Sequence, residues 1–133
     1  MWRRRVSGVV VDTSVWIDFF AGIPVPAMED ALAHGVVVLP PIVIAELLSG
    51  ARRRQDRVAI TEVLSDLALH DTPRDHWLRV GDLRRSLRAR GISVSTPDAH
   101  VAQCAIDRDA LLLSRDAIFA RIAPHAGLKL AAG

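Results

Sequence analysis

Val9, Val10 and Val11 run without a break into Asp12-Thr13-Ser14, and apolar residues then recur at helical spacing through Val15, Trp16, Phe19 and Phe20. A short, continuous, β-branched run is the pattern of a strand buried on both faces, as in the middle of a parallel sheet. The change of period puts Asp12 where this strand, residues 8–11, gives way to a helix. Ligands in open parallel α/β sheets bind just beyond the carboxyl ends of the strands. Asp12 therefore stands at a candidate binding edge.

The same alternation continues to the end of the chain. Thr13 or Ser14 offers cap chemistry for the first helix, which Gly22, Pro24 and Pro26 stop. A helix is predicted over 27–33, a buried strand over 36–39, and a helix over 42–51 with Pro41 near its first turn and Glu46 inside it. A charged connection, 52–57, leads to a helix from Val58, and 67–70 reads as a short strand. The long helix predicted over 75–90 places Val80, Leu83 and Leu87 on one face and Trp77, Arg84 and Arg88 on the next stripe. After Gly91, Thr96 has N-cap chemistry and Pro97 suits the first helical position, so a buried helix is expected over 99–106. A strand at 110–113, a short helix at 117–122 and an edge strand at 128–130 complete the order. Strands alternating with helices imply an α/β domain of four or five parallel strands, with right-handed crossovers and helices on both faces.

A chain of 133 residues, half of them apolar, suits one domain spanning 1–133. No apolar run is long enough to cross a bilayer, and the basic start, Trp2 to Arg5, leads into no signal-like segment, which predicts a cytoplasmic protein. The single Cys104 excludes an internal disulfide and has no second cysteine for a zinc site. Every basic residue except Lys129 is arginine, whose planar fork suits phosphate. If four acids are set aside around a metal, the balance elsewhere is 17 basic against 11 acidic residues, a surface that attracts a polyanion.

Asp12 and Asp116 follow the two clearest strands, so a parallel sheet puts both at one edge. Glu46 and Asp98 lie near the starts of helices whose crossovers return to that rim. Four converging carboxylates repel one another unless a cation offsets them, and hard oxygen ligands favour Mg²⁺, with Mn²⁺ as a substitute, over zinc. The competing explanations are local: Asp12 as a helix cap, Asp98 and Asp116 as partners of helix dipoles, Glu46 as a solvated residue. The apolar neighbours of Glu46, from Ile42 to Leu48, argue for a partly buried acid that needs a partner.

The segments Val9-Val10-Val11-Asp12-Thr13-Ser14-Val15-Trp16-Ile17-Asp18, Ile44-Ala45-Glu46-Leu47-Leu48-Ser49-Gly50-Ala51-Arg52, Asp98-Ala99-His100-Val101-Ala102 and Leu112-Leu113-Ser114-Arg115-Asp116, with Gly91 and Phe119, together resemble the PIN domain, and more narrowly the VapC toxins of bacterial toxin–antitoxin pairs. The resemblance implies a PIN-like fold and a Mg²⁺-dependent endoribonuclease. It also implies a VapB-like antitoxin as inhibitor, a homodimer, and products with a 5′-phosphate and a 3′-hydroxyl. Carried over by position, Asp12, Glu46, Asp98 and Asp116 are the acidic metal ligands, and Ser114 orients a carboxylate or water. A second acid often follows the last of these in the family; Ala117-Ile118-Phe119 lacks it, which points to weaker metal binding or a single ion there.

Two arginine groups, Arg52 with Arg53 and Arg84 with Arg88, are candidates to track an RNA backbone, against a reading as solvated helix faces. Trp16 and Phe20 are core residues and candidate anchors for the antitoxin. The five histidines show no i, i+4 pair of the zinc-binding type, and His100 is read either as a core residue or as a neighbour of the acids. A catalytically silent PIN-like module that binds RNA or protein is the alternative to the nuclease. A phosphatase using Asp12 as nucleophile lacks a second Asp two residues on.

Overall fold

The computed structural model describes residues 8–132; the basic start, Trp2 to Arg5, lies outside them. Five short strands, β1 (Val9–Val11), β2 (Val37–Leu39), β3 (Ala68–Leu69), β4 (Leu111–Leu113) and β5 (Lys129–Leu130), form one parallel sheet in the order β3-β2-β1-β4-β5. Seven helices connect them: α1 (Thr13–Phe20), α2 (Pro26–Ala33), α3 (Pro41–Gly50), α4 (Arg54–Ser65), α5 (Arg74–Ala89), α6 (Thr96–Arg108) and α7 (Ile118–Ala126). The expectation of an α/β domain with a parallel sheet is met, with five strands rather than four.

β1 is the central strand, pairing Val9 and Val10 with Val37 and Val38 on one side and Val9 to Val11 with Leu111 to Leu113 on the other. Its three valines are fully buried, as an uninterrupted apolar strand requires. The chain leaves β1 towards β2 and β3, then crosses back to β4 and β5. Right-handed crossovers accordingly place α1 to α4 on one face and α5 to α7 on the other. The order reverses between β1 and β4, and that reversal is the topological switch point.

Gly8 admits β1 to this position. Its φ is +147°, and a Cβ there would stand 2.8 Å from both Val36 O and Val38 Cγ2, so a side chain would force backbone apart.

The structure corrects several sequence expectations. Asp12, not Thr13 or Ser14, occupies the cap position of α1, and Ser95, not Thr96, caps α6, its Oγ accepting from Asp98 N at 3.2 Å. α4 begins at Arg54, so part of the predicted charged connection is helical. Glu46 is exposed. It lies at the edge of the stripe of α3 that carries buried Val43 and Leu47, and the apolar residues around it do not enclose it.

Candidate metal centre at the switch point

The backbone of β1 and β4 brings two distant segments together. Asp12 N donates to Leu113 O at 2.9 Å, so the residue after β1 is still pinned to the end of β4. Asp12 is only 6% exposed. Its backbone carbonyl accepts from Val15 and Trp16 and starts α1, but its side chain makes no capping bond. Oδ2 instead accepts from Ser14 Oγ at 2.9 Å and from Ser114 Oγ at 2.8 Å. The local explanation of Asp12 as a cap therefore fails for its carboxylate.

The loop after β4 is built around the same contacts. Ser114 Oγ also accepts from Asp116 N at 2.9 Å, and Arg115 N donates to Ser14 Oγ at 3.1 Å. Asp116 is exposed, and its Oδ1 accepts from Ile118 N at 3.0 Å at the start of α7, so the local helix-start role is real for this acid. On the other flank, Thr13 Oγ1 donates to Glu46 Oε1 at 2.7 Å, which ties the start of α1 to α3 and supplies the partner that Glu46 was expected to need.

Asp98 links the four acids electrostatically. Burial raises its pKa, the hydrogen bond with Ser95 opposes that, and the charges of Asp116, Asp12 and Glu46 raise it further. All four predicted acids thus share one field at the switch point. They line a rim and do not close into a knot: among the described residues, no three of their carboxylates bring oxygens within 4.8 Å of one another. The donor set is entirely carboxylate and hydroxyl oxygen, which fits a hard divalent ion of the Mg²⁺ or Mn²⁺ class and not zinc.

The other predicted residues are less uniform. Arg52, Arg53 and Arg88 are exposed, and Arg53 pairs with Asp56 at 3.1 Å. Arg84 Nε donates to Val94 O at 2.9 Å, fastening α5 to the segment before α6, so that part of its guanidinium is structural. Trp16 is fully buried, stacked on Phe20 at a centroid distance of 5.8 Å, and as placed here it is a core ring and not a surface anchor. Phe20 does line an apolar groove between α1, α3 and α4, together with Ile17, Leu47 and Ile60. Ile17, 57% exposed, is a groove residue that sequence reasoning missed; an isoleucine off the helical stripe of Val15, Trp16, Phe19 and Phe20 was the available signal. Arg115, exposed beside the acids with Nε 3.4 Å from Asp18 Oδ2, was missed as well.

Comparison with known proteins agrees with this architecture. No curated protein matches the sequence. Among solved structures, a chain of VapBC2 from Rickettsia felis, bound to a DNA fragment from its promoter, superposes with a TM-score of 0.76 at 22% identity, over 92% of this chain and 96% of that one. A chain of VapBC from Salmonella typhimurium, also DNA-bound, gives 0.76 at 22% identity, over 93% and 96%. A chain of the toxin–antitoxin system VapBC-5 from Mycobacterium tuberculosis gives 0.72 at 23% identity, over 96% and 99%. At such identities the likeness speaks for the fold. The family model of the PIN domain, however, matches residues 9–124, from the first valine of β1 into α7. With the acid-lined switch point at its centre, the chain belongs to the PIN domain family.

Proposed function

We propose that this protein is a VapC-like toxin, a divalent-metal-dependent endoribonuclease held in check by a VapB-like antitoxin. The observation that carries the reading is Asp12: a buried carboxylate at the switch point, left out of helix capping and gripped by two serine hydroxyls. Asp12, Asp98, Asp116 and Glu46 would hold the ion, Mg²⁺ with Mn²⁺ as substitute. The chemistry a divalent ion supplies there is Lewis acidity toward a phosphodiester and a depressed pKa for water.

The chain's own residues do the positioning. Ser14 and Ser114 occupy one oxygen of Asp12 and so fix the rotation of its carboxylate. Ser114 also holds Asp116 N, which sets the loop that carries the fourth acid. Thr13 fixes Glu46 in the same way from the other side. Arg115, with exposed Arg52 and Arg53, supplies positive charge for a polyanionic RNA.

The antitoxin is assigned to the apolar groove of Ile17, Phe20, Leu47 and Ile60, which also includes Glu46. A segment lying in it would pass over one of the acids, so partner binding and loss of activity would be one event. The solved relatives named above are toxin–antitoxin complexes, which supports the pairing, and the family resemblance supports a homodimer. Among the described residues no helix is long and apolar enough to cross a membrane.

The deciding experiment incubates the purified chain with labelled structured RNA in Mg²⁺, Mn²⁺ or EDTA. Cleavage is expected with either metal and none with EDTA or with Asp12→Asn. Cleavage that survives EDTA or the substitution overturns the metal mechanism. Tight RNA binding without cleavage in any metal would establish the silent module instead.

A further inference from the structure

A second cluster of metal-ligating side chains lies in the core between β3, α5 and α6, with donors quite unlike those of the acidic rim. His70 follows β3, its N–H donating to Leu39 O at 2.9 Å. His76 is in the first turn of α5, and His100 and Cys104 stand one turn apart on α6. All four are buried, His76, His100 and Cys104 completely. Among them, His70, His76 and Cys104 each offer a ligand atom, and these atoms lie within 4.8 Å of one another.

Hydrogen bonding accounts for two of the three imidazoles. His76 Nδ1 meets Asp107 Oδ2 at 2.8 Å, and His76 Nε2 meets His100 Nδ1 at 2.8 Å. Asp107 is itself gripped by Arg79 Nε at 2.9 Å and Gln103 Nε2 at 2.8 Å. Trp77 closes the outer side, stacked on His100 at 4.6 Å between centroids. His70 does not fit this scheme: it is 6% exposed, and neither ring nitrogen has a hydrogen-bond partner. Buried polar side chains are normally satisfied, and one that is not calls for a ligand or a reason. The ring contact to His76, 5.5 Å between centroids, supplies no acceptor.

We propose that His70, His76 and Cys104 form a buried site for a zinc-class transition ion, with His100, whose Nε2 lies 3.8 Å from Cys104 Sγ, beside it. Imidazole and thiolate select zinc-type ions over Mg²⁺, so the rim and this site would not compete for the same metal. A tetrahedral zinc centre sets neighbouring ligand atoms roughly 3.3–3.6 Å apart, and these donors already lie within 4.8 Å of one another. Asp107 on Nδ1 of His76 is the carboxylate partner that fixes the tautomer of a metal-binding imidazole, and Nε2 would exchange its 2.8 Å contact with His100 Nδ1 for the ion.

The electrostatics agree with neutral rings and a proton-linked thiol. Burial lowers His100 to about 4, with His76 and His70 adding to the effect, and burial likewise lowers His70, so both rings are in the ligating form near neutrality. Burial raises the Cys104 thiol; Asp107 raises it further and Arg108 opposes them. Binding would release the thiol proton to solvent as the metal–sulfur bond forms, so affinity would rise with pH. The ion would staple the segment after β3 to α5 and α6.

The test uses the full chain, stripped with chelator and titrated with Co²⁺ and then Zn²⁺. One equivalent of Co²⁺ is expected to produce a thiolate-to-cobalt charge-transfer band in the near ultraviolet, which an oxygen-only site cannot give. Zn²⁺ should displace it and raise the melting temperature. Asp12→Asn should keep the band, Cys104→Ser should lose it, and His70→Gln, which keeps the thiol, should weaken cobalt binding at least roughly tenfold. A folded wild-type chain that shows no thiolate band with Co²⁺ overturns the site. So does a His70→Gln chain that binds cobalt as tightly as wild type, and that variant decides the matter even if Cys104→Ser fails to fold.

Discussion

The Ser114 hydroxyl donates to Asp12 Oδ2 at 2.8 Å, joining residues 102 positions apart in sequence. Ser14 donates to the same oxygen, and the two hydroxyls lie 3.4 Å from each other. The first acid of the rim is thus aimed by the last strand of the crossover as much as by its own.

Ser114→Ala is expected to reduce cleavage without unfolding the chain. A hydrogen bond to a charged group is worth about 1.5–3 kcal/mol, so the loss in kcat/KM should be roughly 10–100-fold. Single-turnover cleavage of RNA at saturating Mg²⁺ checks it, and wild-type activity in Ser114→Ala would show that Asp12 does not need this support.

Asp98→Asn should abolish or strongly reduce cleavage while making the metal-free protein more stable. The carboxyl of Asp98 is raised by burial and by three neighbouring acids, so its ionised form is disfavoured in the fold. A raised acid costs stability as pH climbs from its ordinary value through its folded one, and at neutral pH that cost is fully present. Thermal melts in EDTA should place the variant above wild type, with the difference reduced by added Mg²⁺.

Ile17→Asp should separate the two functions of the surface. Ile17 is exposed in the groove and belongs to none of the acid contacts, so RNA cleavage should persist. Binding of a cognate antitoxin should weaken at least tenfold, about 1.4 kcal/mol, measured by titration calorimetry. Unchanged antitoxin affinity would move the docking surface elsewhere.

The buried histidines make the metal-free protein acid-sensitive. His100 sits at about 4 in the fold against 6.5 when unperturbed, so the unfolded chain takes up the proton first. Its contribution to stability is complete above pH 6.5 and is lost as pH falls toward 4, with a slope of about 1.4 kcal/mol per pH unit at most. Burial acts against the Asp107 carboxylate, but hydrogen bonds from Arg79, Gln103 and His76 outweigh it and hold the group at about 2, so this acid yields only at still lower pH. Urea denaturation midpoints across this range, in chelator, should show the slope, and His100→Gln should flatten it.

Much of this was legible in the sequence because the sheet declares itself. Val9 to Val11 and Leu111 to Leu113 are apolar without interruption, a pattern that only a strand covered on both faces tolerates, and from their order the shared edge of Asp12 and Asp116 follows. The side-chain contacts were harder to read. Nothing local distinguishes Ser14 as a partner of Asp12 from Ser14 as a cap, because both use the same hydroxyl within two residues. The exposure of Glu46 was misjudged because apolar neighbours on a helix say little about which stripe meets the core. The histidine cluster was invisible for a different reason. The pairing sought was His with His along one helix, whereas here His100 and Cys104 share one helix and His70 and His76 arrive from other segments.

The position of β4 in the chain has a consequence for the protein's own birth. Ser114 and Asp116 follow β4, so one of the two hydroxyls that aim Asp12 arrives only when β4 pairs with β1. A half-made chain on the ribosome therefore owns the acids of its first half but not the arrangement that makes them a site. If the chain is the ribonuclease proposed above, a nascent chain that has not yet made β4 would not cleave RNA.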